Sequence, residues 1–256
     1  VAPGTTTAGT TGDTAAPSTT IADVLADLPT CNTKALDAAT APVEITFWHG
    51  MTADLEKNLT ALTDEYNASQ SKVKVTLQNQ GGYEQAIDKY LQSSPSSRPD
   101  LIQAPEYAVQ LFRDTNSFIP VQACAEDAGY DASALLPSAI NAYSTGGVQW
   151  AMPFNVSNPV LYYNRKVFAN AGLDPNTPPA TLEDLAADSK TIVDSGAAKY
   201  GLVLDTSFDS GGGWFIEQWF AKAKEFYADN DNGRAAPATK VLFDNATGVD
   251  LMTFLQ

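Results

Sequence analysis

From Val43 onward the apolar positions fall into two alternating rhythms. The segment 43–48 (VEITFW) is β-branched and aromatic, which predicts a strand. Leu55, Leu59, Leu62 and Tyr66 then recur every three to four residues, which predicts a helix burying one face, opened by Thr52 or Asp54. Residues 72–78 (KVKVTLQ) alternate as a strand, Gly81-Gly82 breaks the pattern, and 83–92 reads as a helix. A third strand follows at 100–104 (DLIQA) and a third helix at 106–114. Short strands alternating with helices predict a parallel sheet covered on both faces, with right-handed crossovers. Ligands bind such sheets at the carboxyl ends of the strands. The loops that matter are therefore 48–51, 79–85 and 104–108.

A second series begins near residue 149. A strand entering a loop is predicted at 149–155, strands at 160–164 and 199–205, and helices at 166–171, at 182–193 capped by Thr181, and from Trp214 onward. The segments 173–181 (Pro-rich) and 210–213 (SGGG) read as loops. The expected organisation is 1–41 as a tether and transitional segment, 42–150 as a first α/β lobe, and 151–256 as a hinge and partial second α/β lobe. The tether is Thr/Ala/Pro-rich over 1–20, with a short helix at 21–27. The closing GVDLMTFLQ is apolar-periodic without a C-cap signal, so the second lobe is expected to be incomplete in this chain.

Charge narrows the partners. With 30 acidic residues against 15 Lys and Arg, the net charge is −15. That argues against nucleic acid or an anionic membrane as a partner, since both need clustered cations. A small anion is not excluded, because helix N-termini and neutral donors can hold one. A Val at position 1 fits removal of an export signal. Cys31 and Cys124 stand outside any CxxC spacing and are expected either as one disulfide or as two buried thiols.

Catalytic chemistry finds little support. His49 is the only histidine, which excludes a multi-His metal site. No G-x-S-x-G elbow or G-x-x-x-x-G-K-[ST] loop occurs, and 229–233 (DNDNG) lacks the ligand register of a calcium loop. No cofactor is implied. A carboxylate pair of glycosidase type is not singled out among the acidic residues, so a secreted hydrolase stays only as an alternative.

Binding chemistry has better-placed candidates. Tyr83 follows two glycines at a helix start, where its hydroxyl and the helix N-terminus can serve a phosphate. Glu106 opens the helix after the third strand; it is either an acceptor for polyol hydroxyls or a solvated residue favoured by the helix dipole. Ser157 is a donor in a loop between lobes or an ordinary turn residue. Trp48 is a stacking surface or, more commonly, core.

Certain segments carry a family likeness: ITFWHGM (45–51), GGYEQ (81–85), the PE of APEYA (105–106), PFNVSNPVLYYN (153–164) and FANAGLDPNTPPATLEDLA (168–186). With these the chain resembles the extracellular solute-binding proteins of carbohydrate-type ABC importers, and among them those that take sn-glycerol-3-phosphate and its diesters. The likeness covers roughly 42–220. It implies an α/β, type II periplasmic binding-protein fold of two lobes with a hinge, and a monomer exported to the periplasm or cell surface, lipid-anchored or free. It also implies a phosphorylated polyol ligand and a membrane permease as partner, with a sugar or oligosaccharide ligand as the alternative. Carried over by motif, Tyr83 matches the family's ligand tyrosine, Glu106 its polyol-contacting acid and Ser157 its phosphate-contacting serine. Leu182 stands where some relatives have a Trp that walls the site, which implies room for a larger head group such as glycerophosphocholine. An Arg expected near the end of the family's sequence has no counterpart here.

Overall fold

The computed structural model describes residues 31–205 and 212–256. The expected tether at 1–20, the helix at 21–27 and the start of the 210–213 loop lie outside the described residues. The chain divides into two compact units, Val1–Pro153 and Phe154–Gln256.

The first unit is built on a three-stranded parallel sheet in the order β2-β1-β3, with β1 Val43–His49, β2 Val73–Asn79 and β3 Leu101–Ile102. β1 pairs with β2 in register from Val43↔Val73 to His49↔Asn79, and with β3 only at Phe47↔Leu101 and Trp48↔Ile102. β3 is shorter than 100–104 because Asp100 replaces the ladder there: its carboxylate accepts from the Thr46 backbone N–H at 2.8 Å. Helix α1 (Ala53–Ser69) joins β1 to β2, and α2 (Tyr83–Gln92) leads from β2 toward β3. The open edge of β2 is partly closed by Asn67, which exchanges two 2.9 Å hydrogen bonds with the Val75 backbone.

One face of the sheet packs on a core of Trp48, Ile87, Tyr90, Ala108 and Phe112, with Ile102, Ala104 and Phe118 against it. Ile87 and Tyr90 share a face of α2 by their i, i+3 spacing, and Phe112 reaches them from α3 (Val109–Asp114). The Tyr90 and Phe112 rings meet edge to face at 4.8 Å, and the Tyr90 hydroxyl is paired with Ser117 at 2.6 Å. Beyond α3 come α4 (Val121–Ala128) and α5 (Pro137–Ala142). A hairpin of β4 (Ser144–Thr145) and β5 (Val148–Gln149) turns on Gly146 and Gly147, both at positive φ as a two-residue turn requires. Cys31 and Cys124 are joined in a disulfide that ties the 3-10 turn Thr33–Ala38 to α4; the two-thiol alternative is thereby removed.

The second unit departs from its expected elements. The segment 149–155 enters its loop early, its strand part being only the last residue of β5, and the strands predicted at 160–164 and 199–205 do not form, both running without a ladder. Apart from an isolated bridge between Ala228 and Val241, no strand pairing occurs among the unit's described residues. The reason is visible in exposure. Val160, Tyr162 and Val203 are 67%, 91% and 80% exposed, so their strand-like composition meets no partner to hydrogen-bond or pack against. The helices do form: α6 (Arg165–Asn170), α7 (Leu182–Asp194), α8 (Gly212–Ala223) and α9 (Ala246–Leu255). α6, α7 and α9 carry side-chain caps. Asn164 accepts from the Lys166 and Val167 N–H groups, Thr181 and Asp184 form a reciprocal capping box, and Asn245 accepts from the Gly248 N–H. α8 and α9 pack through Trp219 and Phe254, with Phe220 and Leu251 fully buried.

Candidate functional site

Because the three strands are parallel, their carboxyl ends share one rim, and the loops leaving them are lashed together by main-chain contacts. The Gln103 N–H donates to the Trp48 carbonyl and the Gln80 N–H to the His49 carbonyl, both at 2.8 Å. The Gly50 N–H donates to the Gln103 side chain at 3.1 Å. The Asn79 amide donates to the Met51 carbonyl at 2.9 Å and to Glu56 at 2.7 Å. Gly50 has no room for a side chain: a Cβ there would lie 2.8 Å from the Gly82 carbonyl carbon and 3.0 Å from the Tyr83 nitrogen. The loop after β1 therefore abuts the backbone that starts α2.

This frame places two of the expected residues together. Tyr83 is the first residue of α2, preceded by Gly81 in the left-handed region (φ 90°) and by Gly82. Glu106 opens a 3-10 turn, Glu106–Ala108, that runs into α3, so the expected helix at 106–114 is split in two. Both residues are half-buried. Both act on two further phenols, Tyr107 and Tyr143. Burial first, and then the Glu84 bond and the nearby Glu84, Glu106 and Tyr83, hold the Tyr107 hydroxyl well above its ordinary pKa. Burial, then Glu106 and Tyr83, raise that of Tyr143. Tyr107 is half exposed as a residue, so the burial bears on its hydroxyl end, which donates to the Glu84 carboxylate.

Tyr143 carries no motif and lies 37 residues from Glu106 in sequence, so nothing in the pattern pointed to it. It ends α5, and its carbonyl accepts from the Trp150 N–H at 3.0 Å, which anchors it to the β4–β5 hairpin. Among the described residues, none hydrogen-bonds the Tyr83 hydroxyl, the Tyr143 hydroxyl or the Glu106 carboxylate. The rim thus gathers two hydroxyls and one carboxylate with bonding capacity to spare. A carboxylate accepts and a phenol can donate or accept, so the set suits a ligand rich in hydroxyls.

The other residues of the rim are structural. Trp48 is 4% exposed, donates its indole N–H to Gln78 at 2.8 Å and lies 4.1 Å from Lys89 Nζ, so it is core and not a stacking face. His49 is 1% exposed, and its Nδ1 accepts from the Met51 N–H at 3.3 Å. Burial lowers its pKa against the opposing effect of Glu56, so the ring is neutral.

Ser157 and Leu182 belong to the second unit. Ser157 is exposed in an irregular stretch, and Leu182, 41% exposed, is the first residue of α7, set by the Thr181–Asp184 capping box. This unit also contains a groove of about 560 Å³ between residues 159–164 and 198–205, floored by Phe168, Leu185 and Ile192; neither Ser157 nor Leu182 lines it.

Residues 52–256 match the model of a family described as bacterial extracellular solute-binding protein. The sn-glycerol-3-phosphate-binding periplasmic protein of Pectobacterium atrosepticum is 32% identical over 85% of this chain and 49% of its own length. The protein of the same description from Yersinia pestis is 34% identical over 62% of this chain and 38% of its own. The chain thus spans about half, or less, of the length of these curated relatives. Among solved structures, the cyclic α-maltosyl-1,6-maltose binding protein of Arthrobacter globiformis superposes with a TM-score of 0.60 at 26% identity, over 83% of this chain and 53% of that one. A solute-binding protein of an ABC transporter from Thermotoga lettingae, bound to α-D-tagatose, gives 0.63 at 19% identity over the same shares, a likeness of fold alone. The architecture is that of the type II periplasmic binding proteins.

Proposed function

Because this chain belongs to the bacterial extracellular solute-binding protein family, we propose that it is the solute-capturing component of an ABC importer, and that its ligand is sn-glycerol-3-phosphate or one of its diesters. The observation that carries this reading is the set of unspent polar groups on the sheet rim: the Tyr83 and Tyr143 hydroxyls and the Glu106 carboxylate. Glu106 accepts from neighbouring glycerol hydroxyls, a charge-assisted bond of the stronger kind. Tyr83 donates to a phosphate oxygen near the N-terminus of α2, whose partial positive charge favours an anion. Within the second unit, Ser157 is the candidate phosphate donor, and Leu182 leaves space for a head group such as choline. The protein works by capture rather than catalysis, outside the cytoplasm, closing on its solute by hinge motion and delivering it to a membrane permease. The two curated relatives described as binding sn-glycerol-3-phosphate support this choice.

A saccharide is the second reading. It is favoured by the charges that act on the rim phenols, which are carboxylates and not cations, and by the Arthrobacter globiformis relative described as binding a cyclic maltosyl-maltose. Calorimetric titration of the complete protein with sn-glycerol-3-phosphate, glycerophosphocholine and maltose separates the two. The phosphate reading expects the first two to bind and maltose not to, with Glu106→Ala weakening binding by about tenfold to a hundredfold. Tight maltose binding with no response to either phosphate compound would overturn it.

A further inference from the structure

The sheet order β2-β1-β3 has a consequence for the rim. Tyr83 follows β2 and Glu106 follows β3, and these are the two outer strands, with β1 between them. Neighbouring strands lie about 4.8 Å apart, so the two loops leave the sheet roughly 10 Å from one another. No ladder hydrogen bond joins β2 to β3. The separation of the two candidate ligand groups therefore depends on what crosses above β1. One route is indirect: Gln103 holds Gly50, and Gly50 abuts Gly82. The other is direct. The Tyr107 hydroxyl donates to the Glu84 carboxylate across 23 residues of sequence. Tyr107 is the chain neighbour of Glu106, and Glu84 is the chain neighbour of Tyr83.

We propose that Tyr107 and Glu84 form a strut that sets the distance between Tyr83 and Glu106, and so controls solute affinity without touching the solute. The inference rests on reading this rim as the solute site. The bond engages one of the two oxygens of the Glu84 carboxylate. A phenol is protonated throughout the physiological range, so Tyr107 keeps its donor, and the raised pKa acts in the same direction. Tyr107 and Glu84 are positioning residues, distinct from the three groups offered to the ligand.

The test uses the complete protein labelled with 3-fluorotyrosine, with the Tyr83 fluorine resonance identified by its loss in Tyr83→Phe. The strut expects that resonance to move in Tyr107→Phe and in Glu84→Ala, and to return toward its original position in Glu84→Gln, whose amide carbonyl still accepts from Tyr107. Affinity for whichever of sn-glycerol-3-phosphate, glycerophosphocholine or maltose binds should fall about tenfold in Tyr107→Phe and in Glu84→Ala, recover in Glu84→Gln, and fall no further in the double variant Tyr107→Phe/Glu84→Ala. A Tyr83 resonance unchanged in all the variants overturns the strut. So does a resonance that moves while affinity holds. If the wild type binds none of the three probes, the solute reading falls, and the resonance alone decides the strut.

Discussion

The two units read alike in sequence, each with apolar strand-like segments interleaved with capped helices, yet among the described residues only the first builds a sheet. In the first, Val43–His49 finds β2 along its whole length, and Trp48 is buried with Ile87, Tyr90 and Phe112. In the second, the equally apolar 160–164 and 199–205 form no strand, and Tyr162 and Val203 remain exposed. Composition gives a segment the capacity to be a strand. Pairing requires a second segment at the right place, because the ladder satisfies backbone groups that a single strand leaves to water.

The largest expected effect that sharpens this contrast is a pair of substitutions. Phe112→Ala removes a ring from the centre of the first unit and should cost about 3–5 kcal/mol. Val203→Ser, at an exposed position of the second, should change stability by less than about 0.5 kcal/mol. Denaturant titration followed by tryptophan fluorescence reads both, and equal effects would break the comparison. Next comes the disulfide. Cys31 and Cys124 are 93 residues apart and both lie in the first unit. Closing so long a loop constrains the unfolded chain, so reduction, or Cys31→Ala/Cys124→Ala, should destabilise that unit by about 2–4 kcal/mol and leave the unfolding of the second unchanged.

The smallest effect is one of pH. His49 is the only histidine of the chain and sits in the first unit. Its folded pKa is lowered by burial below the ordinary 6.5. Above that value both folded and unfolded chains hold it neutral, and it contributes no pH dependence. As pH falls below about 6.5 the unfolded chain takes up a proton that the folded unit resists, so stability declines. The melting temperature of the first unit should therefore drop between pH 7.5 and 5.5. His49→Asn, whose side-chain oxygen can accept from the Met51 N–H in place of Nδ1, should flatten that slope. A slope unchanged in the variant would assign the pH dependence to the carboxylates.

Local signals made much of the first unit legible. The β-branched and aromatic content of 43–48, the alternation at 72–78, the three-to-four spacing of 55, 59, 62 and 66, and the Gly81-Gly82 break all mark elements that form, although of the four spaced positions only Leu59 is buried and the expected apolar face stays exposed at Leu55, Leu62 and Tyr66. Thr181 announced its helix for a chemical reason, since its hydroxyl satisfies an N–H that the helix leaves open. The rim was partly legible. Tyr83 and Glu106 sit just after strands, where an open parallel sheet presents its loops. Tyr143 was not, because it enters the cluster through the α5–hairpin corner and shares no spacing with the other two. Nor was the Glu84–Tyr107 bond, which joins loops from strands that are not neighbours.

By itself the sequence determined where some helices start, as at Thr181, and which segments prefer extended backbone. These follow from near-neighbour sterics and capping, which act over a few residues. Tertiary structure alone decided which extended segments became strands, that Trp48 and His49 are structural, that Tyr143 acts with Tyr83 and Glu106, and that Tyr107 reaches Glu84. Those outcomes depend on contacts between residues tens of positions apart, and the register of such contacts is set only when the sheet and its core have packed.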